Sequence, residues 1–245
     1  MKDVLKKKAA AALAGAFVLL ALSLPGFSQQ AAIRPVPVGQ PMPDFTLPVY
    51  QGGSLTFSSL KGKNVILMFP RGYAAEGAWC TICNYKYAEL VDLEQAREIR
   101  KKYNAEILVV LPYSADIVKQ WLEVVPAQLE KIKRTKNPAE PDKLDEKAKT
   151  SMARYRMLFS KDLSMKPGEV PTPFPILVDA DRTVSKGLGL FMTEWGGSKV
   201  DQNIPTYYIV DKNGVVQFKY LSQNTADRPD YEYLFKILDW INKGM

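Results

Sequence analysis

Two uninterrupted apolar runs constrain this chain more than any other feature. Val65-Ile66-Leu67-Met68-Phe69 lies between Lys61-Gly62-Lys63-Asn64 and Pro70, and Ile107-Leu108-Val109-Val110-Leu111 follows later. Five apolar residues without polar alternation read as strands buried on both faces, as in the interior of an α/β sheet. Between them, residues from about 81 to 103 are rich in Glu, Lys, Arg, Ala and Leu and read as one helix. A parallel pair needs such a crossover, so strand–helix–strand is the economical arrangement.

The remaining elements fall around that unit. Phe45-Thr46-Leu47 and Leu55-Thr56-Phe57 flank Gly52-Gly53 and predict an N-terminal hairpin. Ile176-Leu177-Val178 predicts a third short strand. Tyr207-Tyr208-Ile209-Val210 and Val215-Val216-Gln217-Phe218 flank Asp211-Lys212-Asn213-Gly214, a second hairpin. Ile117, Val118, Trp121, Leu122 and Val125 recur at helical spacing until Pro126 interrupts them. Residues 130–149 carry twelve charged side chains together with Pro138 and Pro141, and predict a solvated surface excursion within an insertion spanning about 113–172. Tyr231, Leu234, Phe235, Leu238 and Ile241 form a closing helical stripe, with Gly244 placed to end it. The expected fold is one α/β domain over residues 39–245, a central mixed sheet flanked by helices, with an N-terminal hairpin extension and a charged helical insertion.

The first residues have a different character. Lys2, Lys6, Lys7 and Lys8 precede an uncharged apolar run over residues 9–24, broken by Pro25-Gly26. That layout predicts a signal peptide over residues 1–28, with an uncleaved anchor as the alternative. Sixteen apolar residues fall short of the roughly 20 that cross a bilayer comfortably. Either reading places the domain outside the cytoplasm, periplasmic or secreted, where a dithiol tends to oxidise. Residues 29–38 form a Pro-rich lead-in. Three of the seven net positive charges lie in the first eight residues, so the rest lacks the concentrated basic face that nucleic acid requires.

The chain has no histidine and only two cysteines. Histidine-dependent triads, histidine-ligated metals and four-cysteine metal sites within one chain are therefore excluded; half of a zinc site shared between subunits stays open as a minor alternative, and no metal or cofactor is expected. The reactive cluster is Trp79-Cys80-Thr81-Ile82-Cys83, after a buried strand and at the start of a helix. Two intervening residues bring the sulfurs within bridging reach, and the helix N-terminus favours a thiolate. On this reading Cys80 is the exposed, acidified member and Trp79 offers a flat contact. A plain structural disulfide is the alternative, although a four-residue loop removes little unfolded-state entropy.

These pieces resemble the thioredoxin-fold redoxins, the group spanning alkyl hydroperoxide reductase/thiol-specific antioxidant proteins (AhpC/TSA, the peroxiredoxins) and thioredoxin-like thiol–disulfide oxidoreductases. The resemblance rests on Gly39 with Pro43-Asp44-Phe45-Thr46-Leu47, Leu60-Lys61-Gly62-Lys63, Arg71-Gly72, the Trp-Cys-x-x-Cys cluster, Phe174-Pro175-Ile176-Leu177-Val178-Asp179, and Ile204-Pro205-Thr206 before the second hairpin. It implies a cis bond at Pro205 that presents the backbone of Ile204 to an extended substrate opposite Cys80. In the dithiol branch the cysteine at position 80 attacks and Cys83 resolves a redox-active disulfide. In the peroxidase branch a threonine or serine stands at position 80, the peroxide-reducing cysteine stands at 83, and an upstream proline and a later arginine complete the site. Here Cys80 replaces the hydroxyl residue, Glu76 replaces the proline, and Pro205 lies near the arginine's expected place.

The resemblance thus implies an exported thiol–disulfide oxidoreductase, with peroxide reduction through Cys83 as the rival and a non-catalytic binding module as a third reading. The partner is a protein thiol or disulfide or an electron-donor protein, or a peroxide in the rival case. No nucleic acid is expected, and a membrane only through the N-terminal segment. Arg71 is a candidate thiolate stabiliser, Glu76 the nearest acid in sequence, and Trp195 a candidate border of the substrate groove.

Overall fold

The computed structural model describes residues 35–244. The predicted signal segment lies outside the described residues. Among those described, no helix is long and apolar enough to cross a membrane.

A hairpin of β1 (Thr46–Pro48) and β2 (Ser54–Thr56) opens the fold, with Leu47 facing Leu55. Next come β3 (Asn64–Phe69), a small ribbon of β4 (Tyr73–Ala75) and β5 (Ala78–Trp79), then helix α1 (Thr81–Arg97). The single turn α2 (Ile99–Lys102) leads to β6 (Ala105–Leu111). The insertion follows, made of α3 (Ala115–Glu123), α4 (Val125–Lys136) and α5 (Glu146–Leu158). After it come β7 (Ile176–Val178), α6 (Thr183–Gly187), the short strands β8 (Phe191–Met192) and β9 (Gln202–Asn203), then β10 (Thr206–Val210), β11 (Val216–Leu221) and the closing helix α7 (Tyr231–Asn242).

Five strands form the main sheet in the order β11-β10-β3-β6-β7. β3, β6 and β7 run parallel, while β10 is antiparallel to both β3 and β11. The two apolar runs are the two innermost parallel strands, and every residue of β3 is buried. Strand alternation divides them between two cores. Ile66, Met68, Ile107 and Val109 face the core that holds α1 and α7. Val65, Leu67, Phe69, Leu108 and Val110 face the core that holds Leu47, Phe57 and Leu188.

Two helical expectations change in detail. The helix read from 81 to 103 breaks at Glu98, which adopts a left-handed conformation with φ 48°. The break turns Ile99 into the core, where it is buried, and the short α2 then carries the chain to β6. At the other site, Val124 joins α3 to α4 and Pro126 lies in the first turn of the new helix, where its missing N–H costs nothing. The charged excursion is helical, and α5 buries none of its residues.

Candidate active site

Pro70 ends β3, and the chain then pivots at Gly72, whose φ of 76° suits glycine. The Gly72 carbonyl accepts from the Cys80 N–H at 2.9 Å, closing the β4–β5 ribbon onto the start of α1. Cys80 is the N-cap residue of α1, and its carbonyl accepts from the N–H groups of Cys83 (3.0 Å) and Asn84 (3.1 Å). Both sulfurs therefore sit on the first turn, and they are unbridged.

The pivot is packed on its other side by Tyr113, whose hydroxyl accepts from the Tyr73 N–H (3.0 Å) and donates to the Asp201 carbonyl (2.8 Å). A Cβ at Gly72 would overlap that hydroxyl and the ring behind it. Gly72→Ala should accordingly cost about 3 kcal/mol, from left-handed strain plus displacement of Tyr113. Urea unfolding checks this; an unchanged midpoint would contradict it.

Contrary to the expectation for Cys80, neither sulfur is exposed: Cys80 is 4% and Cys83 1% accessible. They are covered by Arg228, from the segment between β11 and α7. Its Nη2 donates to Cys83 Sγ at 3.5 Å and to Cys80 Sγ at 3.6 Å. Its Nη1 donates to Ser222 Oγ and to the Asp227 carbonyl. The Asp227 carboxylate ties the segment down by accepting from the N–H groups of Gln223 (2.8 Å) and Asn224 (3.2 Å). The Asp227 carboxylate itself stays 3.9 Å from Nη1, so the thiols supply the closer anionic partner.

Arg71 contributes in two ways. Its backbone N–H donates to Cys83 Sγ at 3.3 Å. Its buried guanidinium is gripped by Gln202 Oε1 (2.6 Å), the Trp195 carbonyl (3.1 Å) and Ser198 Oγ, and lies 5.1 Å from the centroid of the Trp195 ring. Burial pulls its pKa down while the charges of Cys80 and Cys83 pull it up.

These contacts separate the two thiols electrostatically. Burial alone would raise the pKa of Cys83. The Cys80 S–H, the Arg228 charge and hydrogen bond and the Arg71 N–H outweigh it, holding Cys83 down to about 5. Cys80 moves the opposite way, because it donates to Cys83 and is itself buried. The acidified sulfur is thus Cys83, not Cys80 as the helix-end argument predicts. Arg228 is driven further up, since the two sulfurs more than offset the cost of burying it.

The other sequence candidates are placed as follows. Trp79 is half-buried and stacked on Tyr73 (centroids 3.8 Å apart), with Tyr113 edge-on at 6.0 Å; it braces the ribbon. Glu76 is exposed at the ribbon's tip. The described residues contain no cis peptide bond, so the expectation for Pro205 is overturned. The neighbouring backbone is tied into the fold: Ile204 N–H donates to the Leu190 carbonyl (2.8 Å), and the Pro205 carbonyl accepts from Ser222 N–H (3.0 Å). Ile204 consequently has no free N–H to offer an extended substrate. Arg228 was not legible in the sequence, where it reads as a charged turn residue between Asp227 and Pro229. The one available signal is indirect: a buried thiolate in a chain without histidine needs a cation from somewhere.

Residues 38–219 match the AhpC/TSA family, about three-quarters of the chain. The chain belongs to that family. It is a thiol-dependent oxidoreductase. Solved structures of similar fold include a cysteine-to-serine mutant of peroxiredoxin 6 from Arenicola marina (13% identity, TM-score 0.55, covering 84% of this chain and 74% of that one). Reduced 2-Cys peroxiredoxin from Plasmodium vivax is another (17%, 0.52, 85% and 83%), as is AhpC from Mycobacterium tuberculosis (15%, 0.50, 85% and 94%). Among curated proteins, none shows significant sequence similarity. Pro205 stands near the place where the family pattern leads one to expect an arginine, and the guanidinium beside the sulfurs here is that of Arg228, from a different element.

Proposed function

We propose that this protein reduces peroxides with Cys83 as the attacking thiolate and Cys80 as the resolving thiol. One observation carries the reading: the Arg71 N–H donates to Cys83 alone and the Arg228 guanidinium reaches it too, at the position where the family resemblance puts the peroxide-reducing cysteine. In the first step the Cys83 thiolate attacks the terminal peroxide oxygen, the O–O bond breaks, and Cys83 becomes a sulfenic acid. The alkoxide or hydroxide that leaves takes the proton of Cys80, the thiol at the same end of α1. In the second step the Cys80 thiolate attacks the Cys83 sulfenic sulfur, forming the disulfide and expelling hydroxide. Guanidinium groups of Arg71 and Arg228 stabilise the negative charge that develops on the leaving oxygen.

Mixing the reduced full chain with hydrogen peroxide or tert-butyl hydroperoxide tests this. One peroxide should disappear for every two thiols lost, about a thousandfold faster than with free cysteine at pH 7. A rate no better than free cysteine would overturn the reading.

The second reading is direct dithiol–disulfide exchange, supported by two cysteines on one helical turn with no other cysteine in the chain. Rapid reduction of insulin-type disulfides together with free-cysteine-like peroxide kinetics would select it. For either chemistry, the basic and apolar layout of residues 1–28 supports action outside the cytoplasm.

A further inference from the structure

The disulfide formed in each cycle must be reduced again, and the charged insertion lies next to the place where that happens. A groove of about 430 Å³ runs between the start of α1 and the whole length of α5. One wall is Thr81 and Ile82, the two residues between the cysteines. Leu158 and Phe159 give it an apolar side, while Lys147 and Arg154 line the same groove from α5. Both cations are exposed, and neither forms an ion pair among the described residues, although Lys149 of the same helix is paired with Glu146. Seven residues apart on a helix, they stand about 10 Å from each other on nearly the same face. Met157, three residues beyond Arg154, is 76% exposed. From Val125 to Leu158 there are nine basic against five acidic side chains.

An apolar groove with two unpaired cations, touching the residue that follows Cys80, fits one kind of occupant. We propose that α5 and the first turn of α1 form the docking groove for an acidic segment of the protein dithiol that reduces this enzyme. The inference rests on the Cys80–Cys83 disulfide cycle of the preceding reading. In the step it serves, a partner thiolate attacks Cys80 Sγ, the Cys80–Cys83 bond breaks, and Cys83 leaves as the better-stabilised thiolate. The partner's second thiol then loses its proton and attacks the partner sulfur of the mixed disulfide. Cys80 leaves and takes up a proton, and the partner departs as a disulfide. Access follows from the same electrostatics. Once the sulfurs are bridged, Arg228 loses its closest anionic partner, and a buried cation without one is costly to keep in place over Cys80.

The experiment uses the oxidised full chain, its disulfide made with diamide so that peroxide chemistry is bypassed. Two synthetic probes carry one cysteine each, one flanked by four glutamates and the other by four lysines. Mixed-disulfide formation is timed per thiolate present. At low salt the glutamate peptide should react about tenfold faster, and the preference should fade at high salt. In the double variant Lys147→Glu/Arg154→Glu it should vanish or reverse, with dithiothreitol rates unchanged. The control Lys236→Glu/Lys243→Glu makes the same charge change on α7 and at the residue that follows it, and should keep the preference. Equal rates for the two peptides on the unaltered chain, or a preference that survives the α5 double variant, would overturn the proposal. Failure of peroxide reduction would show only in the oxidation step and leave this result standing.

Discussion

Cys83→Ser should abolish peroxide consumption, a loss of about 10⁴-fold or more, as removing a nucleophile does elsewhere. Cys80→Ser should fail differently. Its first turnover should survive, because Cys83 keeps the Arg71 N–H and the Arg228 guanidinium as donors. That turnover should be slowed, since serine is a poorer acid than the thiol that now supplies the leaving oxygen's proton. It should then stop, with Cys83 trapped as a sulfenic acid that a dimedone probe labels. Stopped-flow oxidation followed by mass spectrometry separates the two outcomes. The discriminating result is the asymmetry: if Cys80→Ser lost the first turnover and Cys83→Ser kept it, the attacking sulfur would be Cys80. The helix-end argument alone would then have been correct, and the arginine cover would be a structural detail.

That asymmetry also shows which parts of the molecule a linear reading reaches. The apolar runs at 65–69 and 107–111 became β3 and β6 because burial on both faces is written into consecutive residues. The cysteine pair is likewise local, its placement on the first turn of α1 following from a spacing of three. What decides the chemistry is not local. Arg228 is 145 residues from Cys83 and meets it only because β11 returns beside β10 and the segment after it folds over the sulfurs. A helix N-terminus favours whichever thiol it faces, but here the Arg228 guanidinium reaches both sulfurs and the Arg71 N–H reaches Cys83 alone, so the balance of donors favours Cys83. Tertiary contact overrode the sequence expectation in two further places. Glu98 took a left-handed conformation because Ile99 is pulled into the core, and Ile204 spends its N–H on Leu190 within the fold.

Arg228→Leu should move the titration of Cys83 upward, from about 5 toward the ordinary thiol value near 8.5. Burial, which the Cys80 S–H, Arg228 and the Arg71 N–H together outweigh, would act with less opposition, leaving only the Cys80 S–H and the Arg71 N–H as donors to the thiolate. At pH 6 the thiolate fraction, and with it the peroxide rate, should fall by about 10²-fold, and the deficit should shrink steadily toward pH 9. Arg228→Lys keeps a charge without the forked donors and should recover part of the low-pH activity. Stability carries the same signature. A thiol whose folded pKa is depressed contributes stability that is present above its unfolded pKa and lost as pH falls through the folded value. Reduced wild-type protein should therefore gain Tm from pH 5 to pH 8.5 relative to Arg228→Leu, and the difference should close toward pH 5. Disulfide formation removes the titrating thiolate, so this pH-dependent gap should be absent from the oxidised proteins. A variant that still titrates near 5 would transfer the role to Arg71, and a rate deficit independent of pH would make Arg228 a packing residue instead.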